Sequence, residues 1–236
     1  MKVSRLLVVL GAAIVLTFAS VYALPVINNL SDSAPDVSFP NADDSITAAR
    51  ADATASRYRL DAANSKFMAH ASRAGLLWFK GHGHHIAIRD FSGEATLDPD
   101  ALSNSSLTIV AKAASMEETS DVFTDQQKQI INKELREIVL LPAQYPDITF
   151  RSTAVEGKSI GPGQYDLKIT GNLTLLGITR PISIPTKVTV SNNQMRAQGE
   201  FSISRGDFKV KATSAFHGMV RVADTIKFEF DIVGRQ

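Results

Sequence analysis

The feature that most constrains the fold is a two-residue alternation of apolar and polar side chains. It is clearest over residues 165–175, YDLKITGNLTL, where every odd position is apolar or glycine and every even position is polar. Successive side chains of a β-strand point to opposite faces, so this pattern predicts a strand with one face in water. A helix would repeat its apolar positions about every 3.6 residues instead.

The same alternation recurs through residues 57–236, between turn signals such as Pro162-Gly163 and Asn192-Asn193. Strands of parallel sheets are buried on both faces and read as continuous apolar runs, so the alternation favours antiparallel pairing. Roughly ten short strands of this kind predict an all-β barrel or sandwich. Residues 120–141 instead have the apolar spacing of a helix, with Ser120 or Thr124 as its cap.

Composition excludes several classes of protein. The 236 residues carry a formal net charge of +1 and include no cysteine. Near neutrality argues against nucleic-acid binding, and the lack of cysteine excludes disulfides, thiol catalysis and cysteine-ligated zinc. The sequence has no nucleophile-elbow, phosphate-loop or dinucleotide-binding motif, so we expect no enzymatic activity. The paired carboxylates Glu117 and Glu118 are interpreted as part of a solvated face.

The N-terminal segments predict export. Lys2 and Arg5 precede an uncharged apolar run, and residues 1–23 are therefore predicted to be a signal peptide cleaved after Ala23. The alternative is a retained anchor in the inner membrane, because about 20 apolar residues can span a bilayer. Residues 24–56 are acidic and rich in Ala, Ser and Pro, which predicts a disordered linker. The domain of residues 57–236 is thus expected in the periplasm or outside the cell.

A histidine cluster offers a second functional hypothesis. His82, His84 and His85 lie in the segment KGHGHHI, and on a strand His82 and His84 would share one face while His85 would lie on the other. Two imidazoles two residues apart can share zinc or copper, with Asp90 as the nearby candidate for a third ligand and His70 or His217 available only through folding. The alternatives are therefore a metal- or haem-handling site and a polar strand at the mouth of a barrel.

Several motifs of residues 57–236 occur in a characteristic order. They are Tyr58-Arg59-Leu60-Asp61 with Ser65-Lys66-Phe67, Phe91-Ser92-Gly93 with Leu97-Asp98, YPDITFRST at 145–153, GNLTLLGITRP at 171–181 and SRGDF at 204–208. Together they resemble the YceI-like family of lipid- and polyisoprenoid-binding proteins. The chain departs from the family pattern at the GHGHH segment, where Gly-x-Phe is more usual, and at Leu140-Leu141-Pro142.

The resemblance implies an antiparallel, lipocalin-like β-barrel of about eight to ten strands with one α-helix packed against it. It also implies a non-catalytic carrier that holds a polyisoprenoid or fatty-acid-like chain inside the barrel. Such a chain has no charge to bind, so affinity must come from burial of apolar area. Small residues at inward positions are expected to leave room for it; they are Gly171, Gly199, Ala69, Ala71, Ala111 and Ala113.

We therefore predict a set of cavity-lining residues from the inward phase of the strands. They are Phe67, Ala69, Trp78, Leu107, Ile109, Phe150, Tyr165, Leu167, Ile169, Leu173, Ile184, Phe201, Phe216, Phe228 and Phe230. The expected partners are a long-chain lipid or isoprenoid and the membrane that supplies it, with a homodimer as an open alternative. No cofactor is expected beyond the lipid, unless the histidines bind a metal. Arg205 and Asp207 are interpreted as a structural ion pair.

Overall fold

A computed structural model describes residues 55–75, 81–212, 214–215 and 220–236. The predicted leader and nearly all of the predicted linker lie outside these residues, as do Trp78 and Phe216. None of the helices in the described ranges is both long enough and apolar enough to cross a bilayer.

Eleven strands and one helical segment make up the described part of the chain. The strands are β1 (Ser56–Ala74), β2 (His84–Ile88), β3 (Phe91–Leu97), β4 (Ser106–Lys112), β5 (Met116–Glu118), β6 (Asp147–Gly161), β7 (Gln164–Leu175), β8 (Ile178–Ser191), β9 (Gln194–Ser204), β10 (Ser214–Ala215) and β11 (Val220–Arg235). Helix α1 (Asp125–Glu134) continues into a π-helical turn, Leu135–Leu140. Short 3₁₀ turns occupy Leu102–Asn104, Ala113–Ser115 and Gly206–Phe208.

Eight of the described strands close into an antiparallel barrel. Their order is β1-β11-β9-β8-β7-β6-β4-β3, and β3 pairs again with β1. Strand β1 serves two neighbours on one side, because Ser56–Arg59 pair with β3 and Met68–Ala71 pair with β2. Strands β2, β5 and β10 lie outside the closed ring. This architecture confirms the predicted all-β, lipocalin-like barrel with one helix.

The two ends of the barrel differ, and we name them for what closes them. At the hairpin end, β6–β7 turns at Pro162-Gly163 and β8–β9 turns at Asn192-Asn193. Both asparagines have positive φ (47° and 61°), as a two-residue type I′ hairpin requires. The opposite end is the helix end. It carries β2, β5, α1 and the segment 205–212, because these elements are connected to the strand ends that lie away from the two hairpin turns. Access to the barrel interior therefore differs between the two ends.

Two tyrosines are buried near the hairpin end. Tyr58 pairs with Ala95 near the start of β1, and Tyr165 lies near the start of β7 opposite Val188. Both tyrosines are buried, with 2% and 7% of their surface exposed. Both belong to the hydrophobic core of the barrel.

The helix begins where a capping box predicts. The Thr124 side chain accepts a hydrogen bond from Gln127 N–H, and the Gln127 side chain accepts one from Thr124 N–H. Of the two predicted caps, Thr124 is therefore correct and Ser120 is wrong. The helix starts at the later of the two predicted positions. The helical segment, with its π-helical turn, ends at Leu140. Leu141 takes a left-handed conformation (φ 48°) just before Pro142.

The expectation that Gly171 and Gly199 leave space empty is wrong. A Cβ placed at Gly171 would lie 2.6 Å from Cζ of Phe150, and one at Gly199 would lie 2.7 Å from Cζ of Phe230. Each Cβ would also collide with a backbone carbonyl of the adjacent strand. Aromatic rings from neighbouring strands fill the positions that the glycines leave. The glycines therefore do not create free space inside the barrel.

Candidate ligand-binding cavity

The barrel encloses an apolar cavity of about 250 Å³. Of the 45 residues on its wall, 36 are apolar, and they come from every strand of the closed ring. Three small residues that the sequence placed on the inner face, Ala69, Ala71 and Ala111, do lie on this wall. Ala113 is buried in a 3₁₀ turn away from it. The alanines, rather than the glycines, therefore leave the space.

Most of the predicted lining residues surround this cavity. Those on the wall are Phe67, Ala69, Leu107, Ile109, Phe150, Leu167, Ile169, Leu173, Ile184, Phe201, Phe228 and Phe230. Tyr165 is a correction, because it is buried but does not lie on the wall. Trp78 and Phe216 lie outside the described residues. Contact between these side chains and a ligand stays a prediction.

One part of the wall is aromatic. The rings of Phe201 and Phe228 stack with centroids 4.9 Å apart and planes within 7°. Phe67 meets Phe91, Phe228 and Phe230 at centroid distances of 5.9, 6.2 and 6.5 Å. Offset and edge-on ring pairs of this kind add about 0.5–1.5 kcal/mol each beyond simple burial. The cluster therefore stabilises this side of the cavity.

The helical segment contributes wall residues that the sequence analysis missed. Ile131, Leu135 and Val139 are spaced four residues apart and, with Leu140, face the cavity. The same four-residue spacing had predicted a helix, but it did not reveal that the apolar face would cover the open end of a barrel. The sequence signal for these residues is the apolar period of the helix, which shows which face is buried but not what covers that face.

The charged side chains of the wall gather at the helix end. They are Arg205 and Lys211, which follow β9, and Glu134 at the end of α1, together with His84 at the start of β2. The remaining polar wall residues are serines and threonines. A molecule in the cavity would therefore meet hydrocarbon along the barrel and ionisable groups at the helix end.

A buried carboxylate holds His84. The Glu118 side chain has no exposed surface, and its Oε2 lies 2.8 Å from His84 Nδ1. Its Oε1 accepts hydrogen bonds from the backbone N–H groups of His85 (3.1 Å) and Ser120 (2.8 Å). Burial by itself would raise the pKa of Glu118, but these hydrogen bonds outweigh it and hold the pKa below its usual value. The prediction that Glu118 belongs to a solvated face is wrong, because its side chain is fully buried against His84 and His85, which lie 34 and 33 residues away in sequence.

The three histidines of the cluster occupy different surroundings. His82 and His84 both contact the ring of Phe123, with centroids 5.7 and 5.4 Å away. His85 lies on the other face, where its ring meets that of His70 at 5.0 Å. Within the described ranges, no three His, Cys, Asp or Glu side chains lie close enough together to hold a metal ion. The strand geometry thus separates His85 from His84, as the alternation predicted.

Arg205 is fixed by groups other than the predicted one. Its Nη1 donates to the carbonyl of Val210 (2.8 Å), and its Nη2 lies 3.8 Å from Asp224 Oδ1. Asp224 in turn accepts from Ser204 Oγ and Gly206 N. The predicted Arg205–Asp207 ion pair is therefore wrong. Arg205 instead connects the segment after β9 with the first part of β11.

Comparison with solved structures shows the same fold elsewhere. BcnA of Burkholderia cenocepacia is 23% identical, with a TM-score of 0.57 over 74% of this chain and 98% of that one. A polyisoprenoid binding domain from Saccharophagus degradans is 15% identical, with a TM-score of 0.53 over 75% of this chain and 97% of that one. At these identities the likeness concerns the fold alone.

Curated relatives match over a shorter stretch. A UPF0312 protein of Azotobacter vinelandii is 31% identical over 116 residues, which cover 49% of this chain and 52% of the relative. Protein YceI of Salmonella arizonae is 30% identical over 115 residues, or 48% and 51% of the two chains. The matched region thus spans about half the length of these relatives.

A family model covers nearly the whole barrel. The YceI-like domain matches residues 58–234, which run from the start of β1 to the end of β11. This match confirms the resemblance that the ordered motifs indicated. The chain is a member of the YceI-like family.

Proposed function

We propose that this protein is an exported, non-catalytic carrier that holds one long-chain amphiphilic lipid, polyisoprenoid or fatty-acid-like, inside its barrel. The observation that carries the proposal is the wall of the cavity, which is apolar along the strands apart from a few serines and threonines and carries its ionisable groups at the helix end. The neighbour from Saccharophagus degradans, which shares this fold, is described as polyisoprenoid binding. That description supports the proposed ligand class for this chain.

The physical chemistry of such a wall favours a chain-like ligand. Burying one methylene group contributes about 0.8 kcal/mol. Association costs on the order of 4–15 kcal/mol in lost freedom, so a ligand without charges needs many methylene groups to bind well. The cavity volume of about 250 Å³ is close to the lower end of ligand pockets, ~300–1,000 Å³. A single linear chain fits this shape better than a bulky ring system.

The proposal assigns no catalytic role, and the arrangement at the wall that most resembles a catalytic one is His84 with Glu118. His84 and Glu118 form the kind of pair that activates a hydroxyl in hydrolases. Within the described ranges, no hydroxyl group forms a hydrogen bond with the second ring nitrogen of His84. Among the described residues, the pair therefore has no hydroxyl group to activate.

The test is native mass spectrometry of the full chain purified from its own host, followed by organic extraction. We expect a co-purifying apolar chain, and we expect Ile109→Asp to reduce its amount at least about tenfold, since a carboxylate on the wall opposes apolar burial. Thr108→Asp is the matched control, because Thr108 is the adjacent exposed residue of β4. Its lipid content should equal that of the parent.

Two results would overturn the carrier proposal. One is a parent protein that is empty from its host and takes up no lipid from a membrane extract. The other is an Ile109→Asp variant that folds, by circular dichroism, and carries as much lipid as the parent.

Export is proposed from the leader and is tested by mass. A mature chain that begins at Leu24 would support cleavage after Ala23. The uncleaved mass in the membrane fraction would support the anchored alternative, and the uncleaved mass in the cytosol would exclude both.

A further inference from the structure

The GHGHH segment, where the chain departs from its family's pattern, places one imidazole on the cavity wall. His84 lines the cavity at the helix end, and its side chain is 23% exposed. Its ring stacks on Phe123 with planes within 14°, which fixes the plane of the imidazole. Glu118 fixes the ring within that plane through Nδ1. His84 is therefore an oriented polar group at the end of an apolar cavity.

The position of one proton follows from the partners of Glu118. Imidazole is ordinarily more basic than a carboxylate, with reference pKa values of about 6.5 and 4.3. Two backbone N–H groups also point at Glu118, which favours its ionised form. Glu118 is thus an acceptor, and Nδ1 of His84 carries the hydrogen that it accepts. In the neutral imidazole the other nitrogen, Nε2, then presents a lone pair.

This lone pair is available to a ligand. Among residues 55–75, 81–212, 214–215 and 220–236, no group hydrogen-bonds to Nε2 of His84. Among the described residues, the wall cations Arg205 and Lys211 are offset by Glu134 on the wall, by Asp224 beside Arg205 and by Glu118 beside His84. Within the described part of the chain, an anionic head group would find no excess of positive charge at this end, whereas a neutral donor would find Nε2 of His84 without a partner.

We propose that His84 Nε2 accepts a hydrogen bond from a hydroxyl head group of the bound lipid, so that the cavity prefers alcohols over carbonyl compounds of equal length. This inference rests on the proposed lipid-binding function. Glu118 is a positioning residue in it, since it acts only by holding the tautomer of His84. A hydrogen bond contributes about 0.5–1.5 kcal/mol net, which corresponds to a preference of roughly three- to tenfold.

The test compares dodecanol with decyl methyl ketone, which have the same number of carbon atoms. Both compete for the full chain with the apolar dye N-phenylnaphthylamine at about pH 8.5, where imidazoles are ordinarily neutral. The parent should bind the alcohol roughly three- to tenfold more tightly. His84→Phe should bind both compounds equally, and His85→Gln should keep the preference because His85 lies on the opposite face.

Glu118→Gln makes the test specific for the tautomer. The glutamine amide can donate to Nδ1 of His84, which moves the imidazole hydrogen to Nε2 and turns it into a donor. The variant should therefore bind the ketone more tightly than the parent does, and the preference should fall to about one. If Glu118 had a purely structural role, Glu118→Gln would weaken the binding of both compounds equally. Glu117→Gln, on the exposed neighbour that pairs with Arg89, is the matched control.

The outcomes separate this inference from the proposed function. Equal binding of both compounds by the parent would overturn the hydroxyl site while leaving lipid binding intact. Failure of the parent to bind either compound, or the dye, would count against the carrier function itself.

Discussion

Glu118 shows how much a single buried residue organises the helix end. Its carboxylate joins β2 and the segment after β5, while its backbone N–H donates to Asn132 Oδ1 of α1 at 2.8 Å. The sequence gives no sign of this, because Glu118 follows Glu117 and resembles a solvated pair. The burial of the Glu118 side chain depends on His84, 34 positions away. The residues next to Glu118 in the sequence do not reveal this contact.

The stability of the protein should depend on the ionisation of Glu118. Its pKa is lower in the folded state than its ordinary value, despite burial, because His84, Ser120 and His85 donate to it. The stabilisation is therefore fully present above the ordinary carboxyl pKa and is lost as the pH falls through the lower, folded value. We expect the free energy of unfolding to drop more steeply below about pH 4.5 in the parent than in Glu118→Gln.

Urea denaturation at several pH values measures this difference. Glu117→Gln should follow the parent, because the Glu117 side chain is half exposed and its pair with Arg89 is screened by solvent. Parallel pH profiles for the parent and Glu118→Gln would show that Glu118 contributes no proton-linked stability.

At the scale of elements, the helical segment is both part of the wall and a separable unit. Its apolar residues face the cavity, yet none of the side chains of α1 itself is fully buried. Its fixed contacts with β5 include the hydrogen bond from Glu118 N–H to Asn132. The sequence predicted the helix because its apolar period and its cap are local signals. It did not predict where the helix docks, since docking depends on β5 and the opening of the barrel.

Loss of that tether should loosen α1 without unfolding the barrel. In Asn132→Ala the Glu118 N–H loses its acceptor, which costs about 1–3 kcal/mol where the group stays buried. We expect faster amide hydrogen exchange in residues 125–140 and faster release of bound dye, with little change in the exchange of β7 and β8. Asn132→Asp keeps an acceptor oxygen and should behave like the parent. Equal acceleration throughout the barrel would contradict a separable helix.

At the scale of the whole molecule, closure of the ring depends on its last strand. Strand β11 pairs with β9 from Thr225 to Arg235 and with β1 along its other edge. These are the contacts most distant in sequence, since they join the first and last strands of the domain. Composition and alternation predicted antiparallel strands, whereas the choice between a barrel and an open sandwich depended on this pairing.

Removal of residues 225–236 should therefore abolish folding. The truncated chain would expose the edges of β1 and β9 and the aromatic wall that Phe228 and Phe230 complete. We expect no cooperative thermal transition and no dye binding. Removal of Gln236 alone deletes one backbone hydrogen bond to Asn193 and is the control. A cooperative transition in the longer truncation would show that the sheet is stable without closure.

The sequence by itself determined the class of the fold, the inward phase of most strands, the helix and the hairpin turns. These depend on local properties, namely the two-residue period, capping chemistry and the positive φ that Asn192-Asn193 tolerate. Only the tertiary structure decided where the space lies. Rings from neighbouring strands fill the positions at Gly171 and Gly199, while Ala69, Ala71 and Ala111 leave the cavity open. It likewise decided that Glu118 is buried against His84, because packing joins side chains that the linear sequence keeps apart.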